Sequence, residues 1–495
     1  MMDWEKLNLI AAAPEIVLLC LLSLVLLVDL FLDNQRRWIT YGLTQIGLLI
    51  TLAVQWYVFR LPENQNMSAF GGMFVNDGVA HVAKVLMYVA TIFLFAYTRH
   101  YLKARQMYQG EYYTLTLFAL IGMCMMVSAE HFILLYIGLE LLSLSLYTLI
   151  ALRREDAQAS EAALKYFVLG SLASGMLLYG ISLIYGGSGG QLDLPVVLGV
   201  LYAGQGNGVL IQLGLIFIAI GIAFKFGAVP FHMWVPDVYQ GAPVAITAFV
   251  ASIPKIAATV FAFRILVTGL ATEFIDWSQM FMILAVASLL VGNLAAIMQT
   301  NIKRMLAYST ISHMGFILLA FVGNNFVVGD GQSFSGLSAA IYYAVTYILM
   351  SLVAFGVLLA LSAKDHECEN IADLAGLNHR HPWYAFLMLL AMFSMAGIPP
   401  LMGFYAKVYV ILALLEQNLI ALAVFAVIMS LIGAFYYLRI VKVMYFDEPE
   451  ENPVQVASMC WSARFLLSAN GLMLIAFGIV PYIILDWCSQ YFVIG

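Results

Sequence analysis

The residues of this sequence that could do chemistry are ionisable side chains placed inside long apolar stretches. Glu140, Lys225, Lys255 and Lys407 lie within such stretches, and Lys165 lies near the start of one. An ionisable group at the centre of a bilayer costs about 2.5–3.5 kcal/mol, so these five would cost roughly 12–18 kcal/mol together. We therefore expect them to be paired, hydrated or neutral, and to be kept because they carry a function.

Glu140 belongs to a polar stripe on one helical face. Tyr136, Glu140, Ser143 and Tyr147 follow one another at intervals of three or four residues, which places them on the same side of a helix. A polar stripe on an apolar helix faces a partner helix or water. Lys225 is the predicted partner of Glu140, and removal of either would leave the other as an uncompensated buried charge.

Buried lysines next to a carboxylate are suited to proton transfer. Desolvation can lower the pKa of a lysine from about 10.4 by up to about 3–5 units. A nearby carboxylate restores the charged form, so moving or protonating that carboxylate changes the proton affinity of the lysine. Arginine does not deprotonate in proteins and could not serve in this way.

Polar residues on other stretches could hold water between these groups. They are His232, His313, Ser309, Ser312, Tyr342, Tyr343, Thr346 and Tyr347. The predicted proton path, which we call the relay, runs parallel to the membrane through Glu140, Lys225, Lys255, His313 and Lys407.

Each of these residues also has a structural interpretation that the sequence leaves open. Glu140 and Lys225 could be an ion pair that fixes helix packing. Lys255 could extend to the membrane interface, and Lys165 could anchor the end of a helix. His232 could cap a broken helix.

Three further charged residues are less well placed for the relay. We expect Lys84 and Asp77 to contact a neighbouring subunit, and Arg264, near a helix end, to anchor that helix at the interface.

The composition is that of an integral membrane protein of the all-α class. Hydrophobic residues make up 63% of the 495 residues and charged residues 10%, against roughly 25% charged residues in soluble domains. Apolar runs long enough to cross about 30 Å of hydrocarbon fill the chain. The fourteen predicted spans are residues 7–32, 38–58, 76–99, 113–128, 131–151, 162–185, 208–229, 243–268, 275–298, 303–322, 335–361, 382–412, 417–444 and 464–486.

The basic residues of the loops predict the orientation. The loops that follow odd-numbered spans hold most of them, namely Arg36, Arg37, Arg99, Lys103, Arg105, Arg153, Arg154, Lys303, Arg304, Lys364, Arg380, Arg439, Lys442 and Arg464. The opposite face has essentially Lys6 and Arg60. Basic loops stay in the cytoplasm, so we expect both termini to be periplasmic.

Two predicted spans are interrupted by glycine and proline, at residues 225–230 and 397–400. Proline lacks a backbone donor, so both helices should break within the membrane. The breaks are five spans apart, which favours two inverted five-helix repeats of the kind that mark transport sites. The predicted regions are residues 1–112 (three N-terminal helices), 113–268 and 275–445 (the two repeats) and 446–495 (a C-terminal loop and the last helix).

Nothing in the sequence indicates a metal, nucleotide or nucleic-acid site. The five cysteines are scattered singly, without a CxxC pair or a Cys/His cluster at metal-ligand spacing. We expect no cofactor in this chain.

Five stretches resemble the antiporter-like membrane subunits of bacterial respiratory complex I, a group similar to subunits of multi-component sodium/proton antiporters. They are residues 138–141, 224–227, 230–243, 254–257 and 300–313, all in the central part of the chain.

Within that group the chain is most similar to the N-type subunits. Lys407, in residues 403–407, stands where the M-type subunits have a glutamate, and residues 161–167 also look N-type. The L-type subunits add a long lateral helix after the fourteenth span, which we do not expect here.

The resemblance implies a function and a set of site residues. It implies that Glu140, Lys225, Lys255 and Lys407 carry protons, within a fold of fourteen helices and inverted repeats. It also implies an inner-membrane complex that oxidises NADH, passes electrons through FMN and iron–sulfur clusters to quinone, and pumps protons. Those cofactors would belong to other subunits, and the partners would be neighbouring antiporter-like and small membrane subunits in the lipid bilayer.

Two other functions remain open at this point. The chain could be a subunit of a cation/proton antiporter or a membrane-bound hydrogenase that uses the same relay without NADH. It could also be a membrane scaffold that transports nothing. The spread of Lys225, Lys255 and Lys407 over separate spans argues against a scaffold, whose charged contacts would favour outer helices.

Overall fold

The computed structural model describes residues 7–33, 36–61, 67–324, 336–362, 367–449 and 459–491. Lys6 and Lys364, which contributed to the predicted orientation, lie outside these ranges.

Helices dominate the described residues, because long apolar segments satisfy their backbone hydrogen bonds internally. The helices are α1 (Ala13–Asp29), α2 (Trp38–Arg60), α3 (Gly78–Ala104), α4 (Gly110–Ser128), α5 (Phe132–Ile150), α6 (Ala157–Gly187), α7 (Leu194–Tyr202), α8 (Gly208–Phe226), α9 (Trp234–Gly241), α10 (Val244–Ser252), α11 (Pro254–Phe263), α12 (Phe274–Met298), α13 (Ile302–Val322), α14 (Gly336–Leu361), α15 (Leu377–Arg380), α16 (Pro382–Ala396), α17 (Met402–Glu416), α18 (Ile420–Phe446), α19 (Trp461–Ile479) and α20 (Tyr482–Tyr491). A π-helical segment, Arg264–Gly269, continues α11.

The all-α membrane class is confirmed. Helix occupies each predicted span, and twelve helical segments of the described chain are long and apolar enough to cross a membrane. α1, with 17 residues, and the two pieces α16 and α17, with 15 residues each, are shorter. The number of fourteen spans, the inverted repeats and the domain boundaries stay predictions.

Both predicted helix breaks are present. α8 ends before Gly227, at φ 73°, and α16 ends before Gly397, at φ 86°. Glycine takes this left-handed conformation without a steric penalty, which is why it ends helices so often. A short helix follows each break, α9 after the first and α17 after the second.

The sequence did not predict a small antiparallel hairpin before α3. Its strands are β1 (Met67–Ala69) and β2 (Phe74–Asn76), and Ser68 pairs with Val75. The short helix α7, between α6 and α8, was also not predicted.

The centre of the bundle is formed by three helical segments. The most apolar windows of Val244–Gly269, α13 and α14 are each 94% buried, against 33% for α18. An apolar helix buried all round packs against protein, whereas a half-exposed apolar helix faces lipid. Lys255 on α11 and His313 on α13 therefore lie in the protein interior.

Candidate proton-relay site

Lys225 lies in the last turn of α8, just before the first break. Its ammonium donates a 2.6 Å hydrogen bond to the hydroxyl of Ser143. Ser143 lies one turn from Glu140 on α5, as the polar stripe predicted. The predicted direct pair is thus replaced by an indirect link: Glu140 acts electrostatically on Lys225, while the ammonium itself contacts Ser143.

One oxygen of Glu140 is buried without a hydrogen-bond partner among the described protein atoms, and the hydroxyl of Tyr147 is buried beside Ser143. Buried polar atoms are nearly always hydrogen-bonded, by protein or by ordered water. The unpartnered carboxylate oxygen of Glu140, on the stripe that also holds Ser143, therefore marks a place where water would bind.

Lys255 and Lys225 line the same small cavity. Lys255 lies in the first turn of α11 and is 2% exposed. The cavity has a volume of about 20 Å³, and Tyr166 and Trp234 also line it. One water needs about 10–15 Å³ measured in this way. The space between the two lysines therefore has room for a single water.

Trp234 of α9 completes this site. Its ring lies 5.4 Å from the Lys255 ammonium, within the range of a cation–π contact. Its indole N–H donates a 3.0 Å hydrogen bond to the carbonyl of Phe224. That carbonyl is in the last turn of α8, where the helix has ended and the backbone N–H four residues later no longer serves as its partner. Trp234 thus links the end of α8 to α9 beside Lys255.

His313 is the centre of a second polar cluster. Its Nδ1 lies 2.7 Å from the hydroxyl of Tyr343, and its Nε2 lies 3.0 Å from the hydroxyl of Tyr437. The Tyr437 hydroxyl also hydrogen-bonds Ser309. Tyr343 and Ser309 were predicted to hold water near His313. Tyr437, on α18, was missed by the sequence analysis.

Lys407 lies beside the second break. Its ammonium donates hydrogen bonds to the carbonyl of Ala396, at 2.8 Å, and to the hydroxyl of Ser430, at 2.9 Å. Ala396 is the last residue of α16, so its carbonyl belongs to the negative end of the helix dipole. Lys407 also acts electrostatically on His313, which connects it to the second cluster.

Tyr239 lies between the cavity of Lys225 and Lys255 and the cluster around His313. It interacts with Tyr166, which lines the cavity of the lysines, and with Thr310 and Tyr347 on α13 and α14. Thr310 and Tyr347 are themselves hydrogen-bonded at 2.7 Å. The hydroxyl of Tyr239 is buried and faces Thr310 without a hydrogen bond of ordinary geometry. Neither Tyr239 nor Thr310 was singled out from the sequence.

His232 and Lys165 are placed differently from the buried lysines. His232 lies in the first break, where its carbonyl accepts a hydrogen bond from Val235 and its buried Nδ1 has no partner among the described atoms. The side chain of Lys165 is 46% exposed and forms 2.9 Å ion pairs with Glu161 and Asp237. Lys165 thus sits at the surface, although the adjacent Tyr166 lines the inner cavity.

The expectations for Lys84 and Arg264 are wrong. Lys84 is fully buried and forms a 2.6 Å ion pair with Glu15 of α1. Arg264 is 2% exposed and forms a 2.6 Å ion pair with Asp77. Both pairs form within the chain, and a contact of Asp77 with a neighbouring subunit stays a prediction. Glu15 could have been found by searching the predicted spans for acidic as well as basic residues.

No group of three or more metal-ligating side chains occurs in the part of the chain that the structure describes.

Comparison with known proteins places this arrangement in a family. The family model described as "NADH:quinone oxidoreductase/Mrp antiporter, TM" matches residues 129–433. NADH-quinone oxidoreductase subunit N of Neisseria gonorrhoeae is 57% identical over 99% of this chain and 99% of that protein.

Solved structures have the same fold. A chain of respiratory complex I from Thermus thermophilus, solved with bound aureothin, is 31% identical, with a TM-score of 0.80 over 96% of this chain and 98% of its own. A chain of the Mrp complex from Dietzia is 20% identical, with a TM-score of 0.82 over 99% of this chain and 97% of its own. The second likeness concerns the fold alone.

Proposed function

This chain belongs to the family of NADH:quinone oxidoreductase and Mrp antiporter membrane subunits, and on that premise we propose that it is a proton-translocating subunit of an NADH-quinone oxidoreductase. It has no redox site of its own in this proposal. NADH, FMN, iron–sulfur clusters and quinone act in other subunits, and the chain lies in the inner membrane with both termini periplasmic. The observation that carries the proposal is the water-sized cavity shared by Lys225 and Lys255.

The relay starts at Glu140. A change in the charge or position of this carboxylate alters the proton affinity of Lys225, because an opposite charge nearby favours the ammonium form. Ser143, one turn from Glu140, accepts a hydrogen bond from Lys225, and its hydroxyl can pass a proton. A proton released by Lys225 reaches Lys255 through one water in the cavity between them.

The second half of the relay uses His313 and Lys407. Tyr239 interacts with Tyr166 of the Lys255 cavity and with Thr310 and Tyr347, so its buried hydroxyl can connect that cavity to the His313 cluster. His313, with a tyrosine hydroxyl at each ring nitrogen, can accept a proton at one nitrogen and release one from the other. Quinone chemistry in neighbouring subunits drives the relay by sending a shift of charge toward Glu140.

The test is Lys225→Ala in the assembled complex, reconstituted into lipid vesicles. NADH-driven proton uptake and electron transfer are measured together, with complex assembly checked by native electrophoresis. Lys442→Ala is the matched control, because Lys442 is 66% exposed and pairs with Asp447 at the surface. We expect proton uptake to be lost in the first variant and kept in the control. Undiminished pumping by an assembled Lys225→Ala complex would remove Lys225 from the relay.

A cation/proton antiporter subunit is the second candidate, favoured by the fold shared with the Mrp complex. An antiporter subunit exchanges protons for another cation such as sodium, whereas the proton-pumping subunit needs no such exchange. NADH-driven proton uptake that persists in sodium-free potassium buffer would exclude obligatory sodium exchange.

A further inference from the structure

Asn293 of α12 is a buried amide that makes two hydrogen bonds to α18. Its side chain is 1% exposed. Its Nδ2 donates to the carbonyl of Met429, at 3.1 Å, and its Oδ1 accepts from the hydroxyl of Tyr436, also at 3.1 Å. Both polar ends of this amide are therefore bonded to one neighbouring helix. The proposed relay includes none of these three residues.

Gly433 provides the space for this amide. Met429, Gly433 and Tyr436 follow one another at intervals of four and three residues, which places them on one face of α18. A Cβ at Gly433 would lie 2.8 Å from Oδ1 of Asn293, which is closer than an ordinary contact. A side chain at this position would therefore push the amide away from its two partners.

Two contacts of α18 with the relay come directly after the two partners of Asn293 in the sequence. Ser430 accepts a 2.9 Å hydrogen bond from the Lys407 ammonium, and the hydroxyl of Tyr437 lies 3.0 Å from Nε2 of His313. Ser430 and Tyr437 are seven residues apart, so they also share a face of the helix and are separated by about 10.5 Å along its axis. The face of α18 that binds Asn293 therefore sets the direction of the face that contacts the relay.

The apolar surface of α18 does not fix the rotation of this helix. Its most apolar window is 33% buried, and lipid tails are as apolar as its side chains, so a turn about its axis changes little hydrophobic burial. In coiled coils, one buried asparagine specifies the register of the helices. Arg439 of α18 also donates to the carbonyls of Ile297 and Gln299, at the C-terminal end of α12. The helix should therefore stay docked when the bonds of Asn293 are lost, while its rotation becomes less well defined.

A hydroxyl suits both contacts because it donates as well as accepts. The carbonyl of Ala396, the other partner of Lys407, can only accept. When the ammonium has lost its proton, Ser430 can donate to the lone pair of the amine, which the carbonyl cannot do. The Tyr437 hydroxyl has the same freedom toward Nε2 of His313, which accepts or donates according to the tautomer.

We propose that Ser430 and Tyr437 are proton-transfer residues of the second half of the relay, and that Asn293 is the positioning residue that holds both of them toward the relay. The two hydroxyls contact the groups that gain and lose the proton, whereas Asn293 acts through the rotation of α18. This inference rests on the proposed function.

Each hydroxyl moves a proton and no electron. At Lys407, an N–H bond of the ammonium breaks while an O–H bond forms on Ser430, the original hydrogen of Ser430 passes to a water molecule, and a neutral amine remains. At His313, Tyr437 takes the proton of Nε2 while its own hydrogen passes to Ser309, to which it is hydrogen-bonded.

The first test removes the two hydroxyls, in Ser430→Ala and Tyr437→Phe, in the assembled complex reconstituted into vesicles. Each variant should translocate protons on the order of tenfold more slowly, with assembly unchanged, and Ser430→Thr should restore most of the rate. Ser171→Ala is the control, because Ser171 is exposed and its hydroxyl bonds to the carbonyl of Phe167 in its own helix. An unchanged rate in either variant, together with lost pumping in Lys225→Ala, would overturn this inference and leave the proposed function standing. Undiminished pumping in all three variants would overturn both.

The second test removes the amide. Asn293→Ala should lower the number of protons translocated per NADH oxidised. It should also change the pH dependence of translocation in the direction that Tyr437→Phe does, because both changes take the hydroxyl away from His313. Asn470→Ala is the matched control, since Asn470 is fully buried on α19 and interacts with Tyr97 of α3, outside the relay. A loss of stability alone would leave the pH dependence of Asn293→Ala equal to that of the unmodified complex, and that result would overturn the positioning role.

The third test displaces the amide without deleting a polar group. Gly433→Ala places a Cβ against Oδ1 of Asn293, so it should lower the ratio of protons to NADH as Asn293→Ala does. Gly175→Ala, where an added Cβ would meet nothing within 4 Å, is the matched control. In the Asn293→Ala background, Gly433→Ala should cause no further loss, because the group that it displaces is absent. Normal pumping by Gly433→Ala, or an equal further loss in that background, would overturn the positioning role.

Discussion

The ammonium of Lys407 is held 2.8 Å from the carbonyl of Ala396, the residue with which α16 ends. The broken helix thus supplies an acceptor that an unbroken helix would have used for its own backbone. Lys225, by contrast, is itself part of the helix that breaks, and its ammonium bonds to Ser143 on α5. The two breaks therefore position their lysines in different ways.

Gly397→Ala tests the second break. Gly397 has φ 86°, and an added Cβ would lie 2.9 Å from Cδ of Lys407. A left-handed conformation costs a non-glycine residue about 1–2 kcal/mol, and Lys407 would have to move away from Ala396. We expect a lower melting temperature and reduced proton translocation, measured on the reconstituted complex. Gly175→Ala, in an open helical position, should leave both unchanged or raise the melting temperature slightly. Normal pumping by Gly397→Ala would mean that the Lys407–Ala396 contact is dispensable.

Tyr239→Phe tests the connection between the two clusters. The Tyr239 hydroxyl is buried beside Thr310, so its removal takes away at most one hydrogen bond and should lower the free energy of unfolding by no more than about 0.5–1.5 kcal/mol. We expect proton translocation to fall on the order of tenfold or more, since loss of a proton-transfer group costs at least that much. Tyr179→Phe, at an exposed apolar position of α6, serves as the control. Equal pumping rates for the two variants would place the connection elsewhere.

The Glu15–Lys84 pair should contribute to stability because each buried charge neutralises the other. Lys84→Met leaves Glu15 buried without its counter-ion, which should cost about 3–5 kcal/mol in the free energy of unfolding. The double variant Lys84→Met/Glu15→Gln should recover most of that loss, because no uncompensated charge remains. A double-mutant cycle from denaturant unfolding measures the coupling between the two residues. Additive effects of the two single changes would contradict the contact.

Acid should weaken the contact of the loop after α14 with α3 and α13. Burial opposes ionisation of Glu367, but Lys303, the Tyr101 hydroxyl and Arg105 hold the pKa of this carboxyl below its ordinary value. A lowered pKa in the folded state contributes stability above the unfolded pKa, about 4.3 for Glu, and that stability is lost as the pH falls through the folded value.

Glu367→Gln should therefore lower the melting temperature at pH 7. As the pH falls below about 5, the melting temperature of this variant should decrease less than that of the unmodified protein. Melting curves of the two proteins at a series of pH values provide the measurement. Parallel curves over the whole range would show that Glu367 is not the titrating group.

Much of the candidate site could be predicted from the sequence, because its signals are local. Lys225, Lys255 and Lys407 stand out since a charge in an apolar segment is costly wherever that segment packs. The side chains that contact them could not be predicted in the same way. Ser143 contacts Lys225 in place of Glu140, and Tyr437 reaches His313 from a helix more than one hundred residues away. Which helices become neighbours depends on how the helices pack. The periodicity of one helix shows which of its faces is buried but not which helix covers that face.

The sequence by itself determined the membrane class, the two helix breaks and the buried lysines. Hydrophobicity, the missing N–H of proline and the conformational freedom of glycine act on the residue that has them and on its nearest neighbours. Only the tertiary structure decided the pairing of Glu15 with Lys84, the water-sized space between Lys225 and Lys255, and the pairing of Arg264 with Asp77. Ion pairs and cavities are formed by side chains from helices far apart in the chain, so they exist only once those helices have packed.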